Sequence, residues 1–357
     1  MLVLLLIIVI LGIILEIISL NRDFSKISSS VSVSTGETEP DAPFKVTTTV
    51  TNTSWMPVSY LAVHENYPEW TTLPEDIVSY RNLHDIKVKK VFRVGGRSKK
   101  HQEITVSISK RGVHMIKGDS IESGDFLGLR EYKNTVYYRE EIVVYPRRVD
   151  DDGVTEALGQ FLGDIQAKRW LIRDPVLTVG IREYTGREPM KEIHWMASAH
   201  RGELMVKEFD YNRELTISVL MCVEGIHPWL DTGMDELCEL TRTVCETMVA
   251  TGAMVNYFTN CRLRGKSSAR LWNVEVSSFT TKRLLEGLGR ATSYECGTLE
   301  GLLDYAVNQN GFDTAYVVIL PFGDNRGDLV TQVLRQHTGQ EVLVLNARNH
   351  EEVEEDK

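Results

Sequence analysis

Residues 181–210 contain the densest set of side chains that could bind a partner or do chemistry. Positive charges alternate with glutamates there, and a tyrosine, a histidine and a tryptophan lie among them. Such a set could form a charged network or a face that docks a partner. The alternative is a solvated helix face with the tryptophan buried in the core. The partner-binding candidates are Arg182, Tyr184, Lys191, His194, Trp195, Arg201 and Lys207.

The local sequence around these candidates predicts a turn, a helix and a strand. Gly186 predicts the turn, and Pro189 suits the first position of a helix. Gly202 would end that helix, and residues 204–209 alternate as in a strand. One helical face would then hold Ile193, Met196, Ala197 and His200.

His194 is the one candidate that could act as a general base, as in a hydrolase. A hydrolase needs a nucleophile and a group that orients the base, and the sequence offers no obvious candidate for either role. His194 and His200 are six residues apart, so on one helix they would point in different directions rather than at a shared metal. A structural histidine is therefore the favoured interpretation, and hydrolysis is the least favoured function.

The elements that must position these side chains fall into two classes. Residues 44–145 alternate with a period of two and carry turn signals, which predicts an immunoglobulin-like β-sandwich of about seven strands. From residue 150 onward, helical patterns alternate with short apolar strands, which predicts a parallel sheet covered on both faces. The expected fold class is α+β multidomain, with a Rossmann-like α/β domain after the sandwich.

The N-terminus predicts a membrane anchor. Residues 2–15 are uninterrupted apolar, and the apolar character continues past Glu16 to Leu20. Nineteen helical residues would span roughly 28 Å, close to one bilayer core. No basic residue precedes this stretch, whereas Arg22 and Lys26 follow it, which favours a single-pass protein with its soluble domains in the cytoplasm.

Five segments follow from these patterns. They are an anchor at 1–22, a sandwich at 23–149, a linker helix at 150–178, the signature segment with the α/β domain at 179–350, and an acidic tail at 351–357.

Composition narrows the range of partners. The net charge is −10 and the charged fraction is 25%, so bulk charge does not favour nucleic acid as a partner.

All five cysteines lie beyond residue 221 and lack metal-site spacing, which favours small buried apolar residues in a reducing compartment. Asn260-Cys-Arg-Leu-Arg-Gly265-Lys-Ser resembles a phosphate-binding loop only at its end, so no nucleotide cofactor is expected.

Residues 181–210 resemble the signature of the domain of unknown function 58 family, which runs R-x-Y-x-x-G-D, then R-x-I-x-W, then A-R and a V-K-x-F strand. Arg182, Tyr184, Gly186, Trp195 and Lys207 are among the matching positions. The elements R-G-x-Y, D-P-F-G-L and V-Y-P have counterparts at residues 111–118, 124–129 and 143–146. Two positions depart from the pattern: Arg187 replaces the acidic residue, and His200 shifts Arg201 by one position.

The resemblance implies a von Willebrand factor A-like α/β domain. Metal-competent domains of that class hold Mg²⁺ with a D-x-S-x-S motif after the first strand. Here that strand leads into Cys222-Val-Glu224-Gly-Ile, without the aspartate or the serines. Glu224 and Asp324 could still converge at the carboxyl edge of the sheet, although two carboxylates alone are a poor ligand set for Mg²⁺. We expect no cofactor, and a residual cation site remains the alternative.

The resemblance also suggests a partner, because relatives are commonly paired with MoxR-type AAA+ ATPases. The leading expectation is a membrane-anchored, non-enzymatic interaction protein that acts with such an ATPase in assembling or activating other proteins. The alternative is cation-dependent ligand binding through Glu224 and Asp324.

Overall fold

The computed structural model divides the chain into two compact units. The first comprises residues 1–147, 263–266 and 285–291, and the second comprises 148–262, 267–284 and 292–357. The residues that the structure describes are 5–7, 10, 12–14, 16–17, 24–124, 131–171, 178–209, 215–227, 233–265, 271–277, 279–310 and 314–348.

The first unit consists mainly of two β-sheets. One sheet has the strand order β1-β3-β8-β5, and the other has the order β2-β11-β9-β4-β7-β6 with β10 paired to β9. Neighbouring strands are antiparallel except for β2 and β11. The strands are β1 (Ile27–Val33), β2 (Glu37–Thr38), β3 (Phe44–Asn52), β4 (Val58–Pro68), β5 (Thr71–Thr72), β6 (Val78–Arg81), β7 (Asp85–Val94), β8 (Ser98–Ile108), β9 (Gly112–Gly124), β10 (Glu131–Thr135) and β11 (Arg139–Val144).

The two sheets pack face to face. Alternate residues of β3 are buried, as the period of two predicts. One apolar cluster draws Val46 and Ile104 from the first sheet and Val88, Ile116 and Ile142 from the second. The predicted β-sandwich is therefore confirmed.

An ion pair lies inside this apolar core. Lys90 and Glu65 have side chains with no solvent exposure, and the Lys90 ammonium donates to Glu65 Oε2 at 2.8 Å. Lys90 also donates to the hydroxyls of Thr48 at 2.6 Å and Tyr67 at 3.0 Å. Tyr67 and Tyr138 each donate to the Glu65 carboxylate at 2.9 Å. Burial lowers the pKa of Lys90, and the Glu65 carboxylate opposes that shift.

Arg111, from the segment that matches the R-G-x-Y element, has a structural role in the first unit. Its guanidinium donates to the carbonyl oxygens of Leu288 at 3.0 Å and Ala291 at 2.9 Å, near the end of a helix. Cations are favourable at that position because helix C-termini leave carbonyl groups unpaired. Gly289, near the end of the same helix, allows strand β11 to approach closely, since a Cβ at this position would lie 2.6 Å from Val143 Cγ1.

The second unit is built around a five-stranded sheet with the order β17-β15-β14-β19-β20. All neighbouring pairs are parallel except β15 with β17. The remaining strands are β12 (Thr178–Glu183), β13 (Met205–Phe209), β14 (Thr216–Met221), β15 (Met254–Thr259), β16 (Cys261–Leu263), β17 (Trp272–Val276), β18 (Ala291–Glu295), β19 (Ala315–Leu320) and β20 (Val342–Asn346).

Helices cover both faces of this sheet. Leu220 and Phe258 pack in a cluster with Leu302 and Leu334, whereas Tyr257, on the opposite face, lies against Met221 and is close to Cys238. The predicted covered α/β sheet is therefore confirmed. The helices are α1 (Asp152–Leu171), α2 (Trp195–Arg201), α3 (Met234–Ala250), α4 (Thr281–Arg290), α5 (Leu299–Asn310) and α6 (Gly327–Thr338).

Helix α1 matches the predicted helix after residue 150. Asp151 caps it, because its Oδ1 accepts from the backbone N–H groups of Gly153 at 2.8 Å and Val154 at 3.2 Å. The buried face has the predicted helical spacing, with Leu158, Phe161, Leu162 and Ile165.

The cysteines in this part of the chain are all free thiols. Cys222, Cys238, Cys245 and Cys261 are buried, as expected for small apolar residues, and Cys296 is partly exposed.

The two chain ends are described only in part. Residues 5–7, 10, 12–14, 16 and 17 are helical, and most of their apolar side chains are exposed. No helix among the described residues is long and apolar enough to cross a membrane. The rest of the predicted anchor at 1–22 and the acidic tail at 351–357 lie outside the described residues.

The buried ion pair predicts a marked asymmetry between single and double substitutions. Lys90→Met should destabilise the protein by about 3–5 kcal/mol, because it leaves the Glu65 carboxylate uncompensated in the core. Lys90→Met/Glu65→Gln should recover most of that loss, because a neutral amide oxygen can still accept from the tyrosine hydroxyls. Urea unfolding measures both values.

The matched control is Lys99→Met, which removes an exposed ammonium from the same unit. A loss for Lys90→Met no larger than for this control would contradict the role of the buried pair.

Candidate functional site

Strands β12 and β13 form a separate antiparallel ribbon that carries several of the candidate residues. Arg182 pairs with Val206, and Ile181 pairs with Lys207. The backbone N–H of Tyr184 donates to the Leu204 carbonyl at 2.9 Å, which extends the ribbon past β12. The structure therefore brings together Arg182, Tyr184 and Lys207 along one ribbon.

The turn after β12 is organised around Glu188. Its carboxylate accepts from the Thr185 hydroxyl at 2.8 Å and the Thr185 backbone N–H at 3.0 Å. It also pairs with the Arg182 guanidinium at 2.7 Å. The Thr185 hydrogen bond and the Arg182 guanidinium hold the pKa of Glu188 at about 2.

The carboxylate of Glu188 occupies the acidic position of the resembled signature. Counted from Arg182, the pattern R-x-Y-x-x-G-D places its acidic residue at position 188, and Glu188 supplies the carboxylate that pairs with Arg182. The assignment of Arg187 to the acidic position is therefore wrong, since by this spacing Arg187 stands at the glycine position. Arg187 donates its backbone N–H to Glu188 Oε2 at 3.3 Å.

His194 serves as the N-cap of helix α2. Its imidazole Nδ1 accepts from the backbone N–H of Ala197 at 3.1 Å, and its own backbone N–H donates to the Met205 carbonyl at 2.8 Å. Buried Ser198 ties the helix to β13, since its hydroxyl accepts from the Met205 N–H at 2.8 Å. These contacts make His194 a structural residue of the turn, which is the role that the sequence favoured.

Trp195 and Met196 project into solvent. They are 61% and 76% exposed, and Met190, in the 3₁₀ turn before the helix, is 69% exposed. The alternative of a buried tryptophan is therefore wrong. Of the predicted helical face, Ile193 is buried, whereas Met196 and His200 are exposed. The reason is that helix α2 begins only at residue 195 and is anchored by the buried residues Ile193, Ser198, Met205 and Val206.

The remaining candidates, Lys191 and Arg201, are exposed on either side of this turn. Neither forms an ion pair with the described residues. Trp, Met and Arg side chains are enriched at protein interfaces, and Trp and Arg are common hot-spot residues. We call the set Met190, Lys191, Trp195, Met196 and Arg201 the α2 patch.

Glu224 and Asp324 do converge at the carboxyl edge of the parallel sheet, but they converge on a cation of the protein itself. The Arg326 guanidinium donates from Nη1 to Glu224 Oε1 at 2.7 Å and from Nη2 to Asp324 Oδ2 at 2.7 Å. Its Nε donates to both oxygens of Asp324 at 3.0 and 3.1 Å. The Arg326 hydrogen bonds lower the pKa of Asp324.

The second oxygen of Glu224 is also used, because it accepts from the backbone N–H of Leu299 at the start of α5. Asn260 connects the neighbouring strand ends, accepting from the Val223 N–H at 2.9 Å and donating to the Gly297 carbonyl at 2.8 Å. Sequence reasoning missed Arg326 and the structural role of Asn260. The proximity of Arg326 to Asp324 in sequence was a weak signal, whereas its contact with Glu224 spans 102 residues.

This edge therefore holds two carboxylates that already share one guanidinium. No group of three or more histidine, cysteine, aspartate or glutamate side chains that could hold a metal ion occurs among the described residues. Cys222 lies beside the site, and burial raises the pKa of its thiol to about 11, so it is a thiol rather than a thiolate ligand at neutral pH.

Solved structures resemble about a third of this chain at low sequence identity. No protein-family model matches the chain, and no curated protein matches it either. A cohesin module from a Clostridium perfringens family 33 glycoside hydrolase is 12% identical, with a TM-score of 0.25, over 33% of this chain and 96% of the module. A CARDB domain from Pyrococcus furiosus is 10% identical, with a TM-score of 0.23, over 33% of this chain and 91% of the domain.

A cohesin from Archaeoglobus fulgidus, described as non-cellulosomal, is 13% identical with a TM-score of 0.23. It covers 36% of this chain and 96% of its own length.

The Glu188 turn predicts a specific pH response. A carboxyl group whose pKa is lowered in the folded state stabilises the fold above its unfolded pKa and loses that contribution as pH falls toward the folded value. For Glu188 this window runs from 4.5 down to about 2. The ¹H–¹⁵N shift of Thr185 should therefore stay constant from pH 7 to pH 4.5.

Glu188→Gln is the control, because it keeps the size of the side chain and removes its titration. A Thr185 shift that titrates in the native protein with a midpoint near pH 4.5 would show that the carboxylate is not held as described.

Arg326 predicts a response to substitution and to cations. Arg326→Met should lower stability by about 1 kcal/mol, a modest value because the guanidinium is partly exposed and solvent screens the pair. Glu224 and Asp324 would then be left without their shared cation, so Mg²⁺ should raise the melting temperature of the variant and leave that of the native protein unchanged.

Arg335→Met is the matched control, because Arg335 lies on α6, pairs with Glu341 beyond the end of that helix at 3.2 Å, and is 55% exposed. A native melting temperature that rises with millimolar Mg²⁺ would instead favour the cation-dependent alternative.

Proposed function

We propose that this chain is a membrane-anchored, non-enzymatic interaction protein that acts with a MoxR-type AAA+ ATPase in assembling or activating other proteins. In this proposal the sandwich is an immunoglobulin-like module and the α/β unit is a von Willebrand factor A-like domain of the domain of unknown function 58 family. The anchor is the apolar N-terminus, and both soluble units face the cytoplasm.

The observation that carries the proposal is the exposure of Trp195 and Met196 on a turn that many hydrogen bonds hold in place. Exposing large apolar side chains to water is unfavourable, and such residues commonly mark an interface. The Glu188 network and the His194 cap fix the backbone on which they stand. A pre-organised surface binds a partner with less loss of conformational entropy than a disordered one.

The choice of partner rests on the resemblance in residues 181–210. The matching positions include the hydrogen-bonded frame, Arg182 and Tyr184, as well as the exposed Trp195. The signature thus combines residues that shape the turn with a residue that a partner could bury. A docking face accounts for both kinds of residue.

The cation-dependent alternative draws less support. Glu224 and Asp324 lie close together, but the charge that would attract Mg²⁺ is offset by Arg326. Displacing a hydrogen-bonded guanidinium would add to the cost of cation binding. Hydrolysis through His194 draws less support still, because its Nδ1 accepts a backbone hydrogen bond as the cap of α2.

Removing the exposed apolar side chains should abolish partner capture without unfolding the protein. The experiment is co-purification of an AAA+ ATPase with the full-length, detergent-solubilised chain, comparing the native protein with Trp195→Ala/Met196→Ala. Because both side chains are exposed, the variant should keep the native melting temperature, and ATPase recovery should fall roughly tenfold or more, as expected for an interface hot spot.

The matched control is Phe279→Ala/Leu329→Ala, which removes two other exposed apolar side chains, 94% and 57% exposed, from the same unit. If both variants capture the ATPase as well as the native protein does, the α2 patch is not the docking face. If the native protein captures no AAA+ ATPase from its source membranes, the proposed partner is wrong.

A further inference from the structure

The second unit also contains a groove with an apolar floor and an acidic rim. It is a cavity of about 510 Å³, a volume within the range of roughly 300–1,000 Å³ that is typical of ligand pockets. Val154 and Leu240 line it together with Asp150, Asp152 and Glu236. The lining comes from the first turn of α1, the N-terminal half of α3 and the segment after β20.

Part of the acidic lining already has a structural explanation. Asp151 caps α1 and pairs with Arg348 at 2.9 Å. Asp152 and Glu236 lie in the first turns of α1 and α3, where the helix dipole favours negative charge. The dipole does not neutralise them, however, and neither forms an ion pair with the described residues. Asp150 is 94% exposed, and it pairs with Arg148 at 3.7 Å.

Thr243 holds one wall of the groove in position. Its hydroxyl accepts from the Val149 N–H and donates to the Val149 carbonyl, both at 3.1 Å. These two bonds join helix α3 to the chain just before Asp150 and α1. Hydrogen bonds within the chain therefore hold this wall of the groove in place.

The same unit carries a surface of the opposite character. The α2 patch presents three exposed apolar side chains, Met190, Trp195 and Met196, together with Lys191 and Arg201, which form no ion pair in the described part of the chain. Each property of the groove has its counterpart there: an apolar floor for apolar side chains, and a carboxylate rim for flanking cations. Matching of this kind sets the register and orientation of interfaces and speeds encounter.

We propose that the occupant of the groove is the α2 patch of a second copy of this chain. Trp195 and Met196 of one copy bury themselves against Val154 and Leu240 of the next, and Lys191 and Arg201 face Asp150, Asp152 and Glu236. This contact joins two different surfaces, so it is heterologous. Repeating this contact from copy to copy gives a closed ring if the rotation closes and a linear filament if it does not. The copy at one end of a linear filament keeps a free α2 patch.

The inference goes beyond the proposed function, because it concerns association of the chain with itself. It predicts concentration-dependent assembly of the full-length, detergent-solubilised protein in sedimentation velocity, weakened by salt. A groove variant, Asp152→Lys/Glu236→Lys, and a patch variant, Lys191→Glu/Arg201→Glu, should each weaken self-association by roughly a hundredfold, because like charges would then face each other.

Mixing the two variants gives the sharpest test. The groove variant keeps a native patch and the patch variant keeps a native groove, and their two reversed surfaces are complementary to each other. An equimolar mixture should therefore assemble, although each variant alone associates only weakly. A chain with all four substitutions should assemble again, because its reversed charges are complementary. Glu300→Lys/Asp304→Lys, which reverses two exposed charges on α5, is the control and should assemble like the native protein.

Three outcomes would overturn the inference. They are a native protein that stays monomeric at every accessible concentration, variants that assemble like the native chain, and an equimolar mixture of the two variants that does not assemble. If a charge reversal unfolds the chain, Asp152→Asn/Glu236→Gln replaces it and should weaken assembly to a smaller extent. The groove variant should still co-purify with an AAA+ ATPase, so loss of self-association is distinguishable from loss of the proposed function.

Discussion

The guanidinium of Arg326 is the interaction on which the carboxyl edge of the parallel sheet depends. Two chain segments leave neighbouring strands there, and each carries a carboxylate that would repel the other. Arg326 neutralises both, Asp324 accepts the backbone N–H at the start of α6, and Glu224 does the same for α5. The carboxylates at this edge are therefore paired with a cation of the chain itself. In other open α/β folds, ligands commonly bind at the same edge of the sheet.

The segment between β12 and β13 differs from this edge, because it leaves large apolar side chains exposed. Glu188, His194 and Ser198 form hydrogen bonds within the segment. Its large apolar side chains Trp195 and Met196, by contrast, are exposed to water. Trp195 is 61% exposed, so its burial in an interface would remove further apolar area from water. At the sheet edge the carboxylates are paired within the chain, whereas at α2 large apolar side chains stay exposed, and this contrast supports the α2 patch as the proposed docking face.

The sequence was sufficient for features with local causes. The continuous apolar run at β19 and the helical spacing of Leu158, Phe161 and Ile165 each predicted the observed element. It was insufficient where tertiary contacts decide. A tryptophan usually indicates burial, whereas the short helix α2, anchored through Ile193 and Ser198, leaves Trp195 exposed. The contact between Arg326 and Glu224 has no local signal at all, because the pairing is set by strand order.

The buried pair of Lys90 and Glu65 also constrains how the sandwich can assemble. In the native alignment of β4 with β7, Lys90 lies opposite Val63 and Glu65 lies opposite Val88. If either strand slipped by one residue, its charged side chain would turn to the outer face of the sheet. The charged side chain of the other strand would then be left without its partner among apolar side chains. Misaligned sandwiches are thus penalised by an uncompensated internal charge, so the pair selects a single strand alignment while the chain folds.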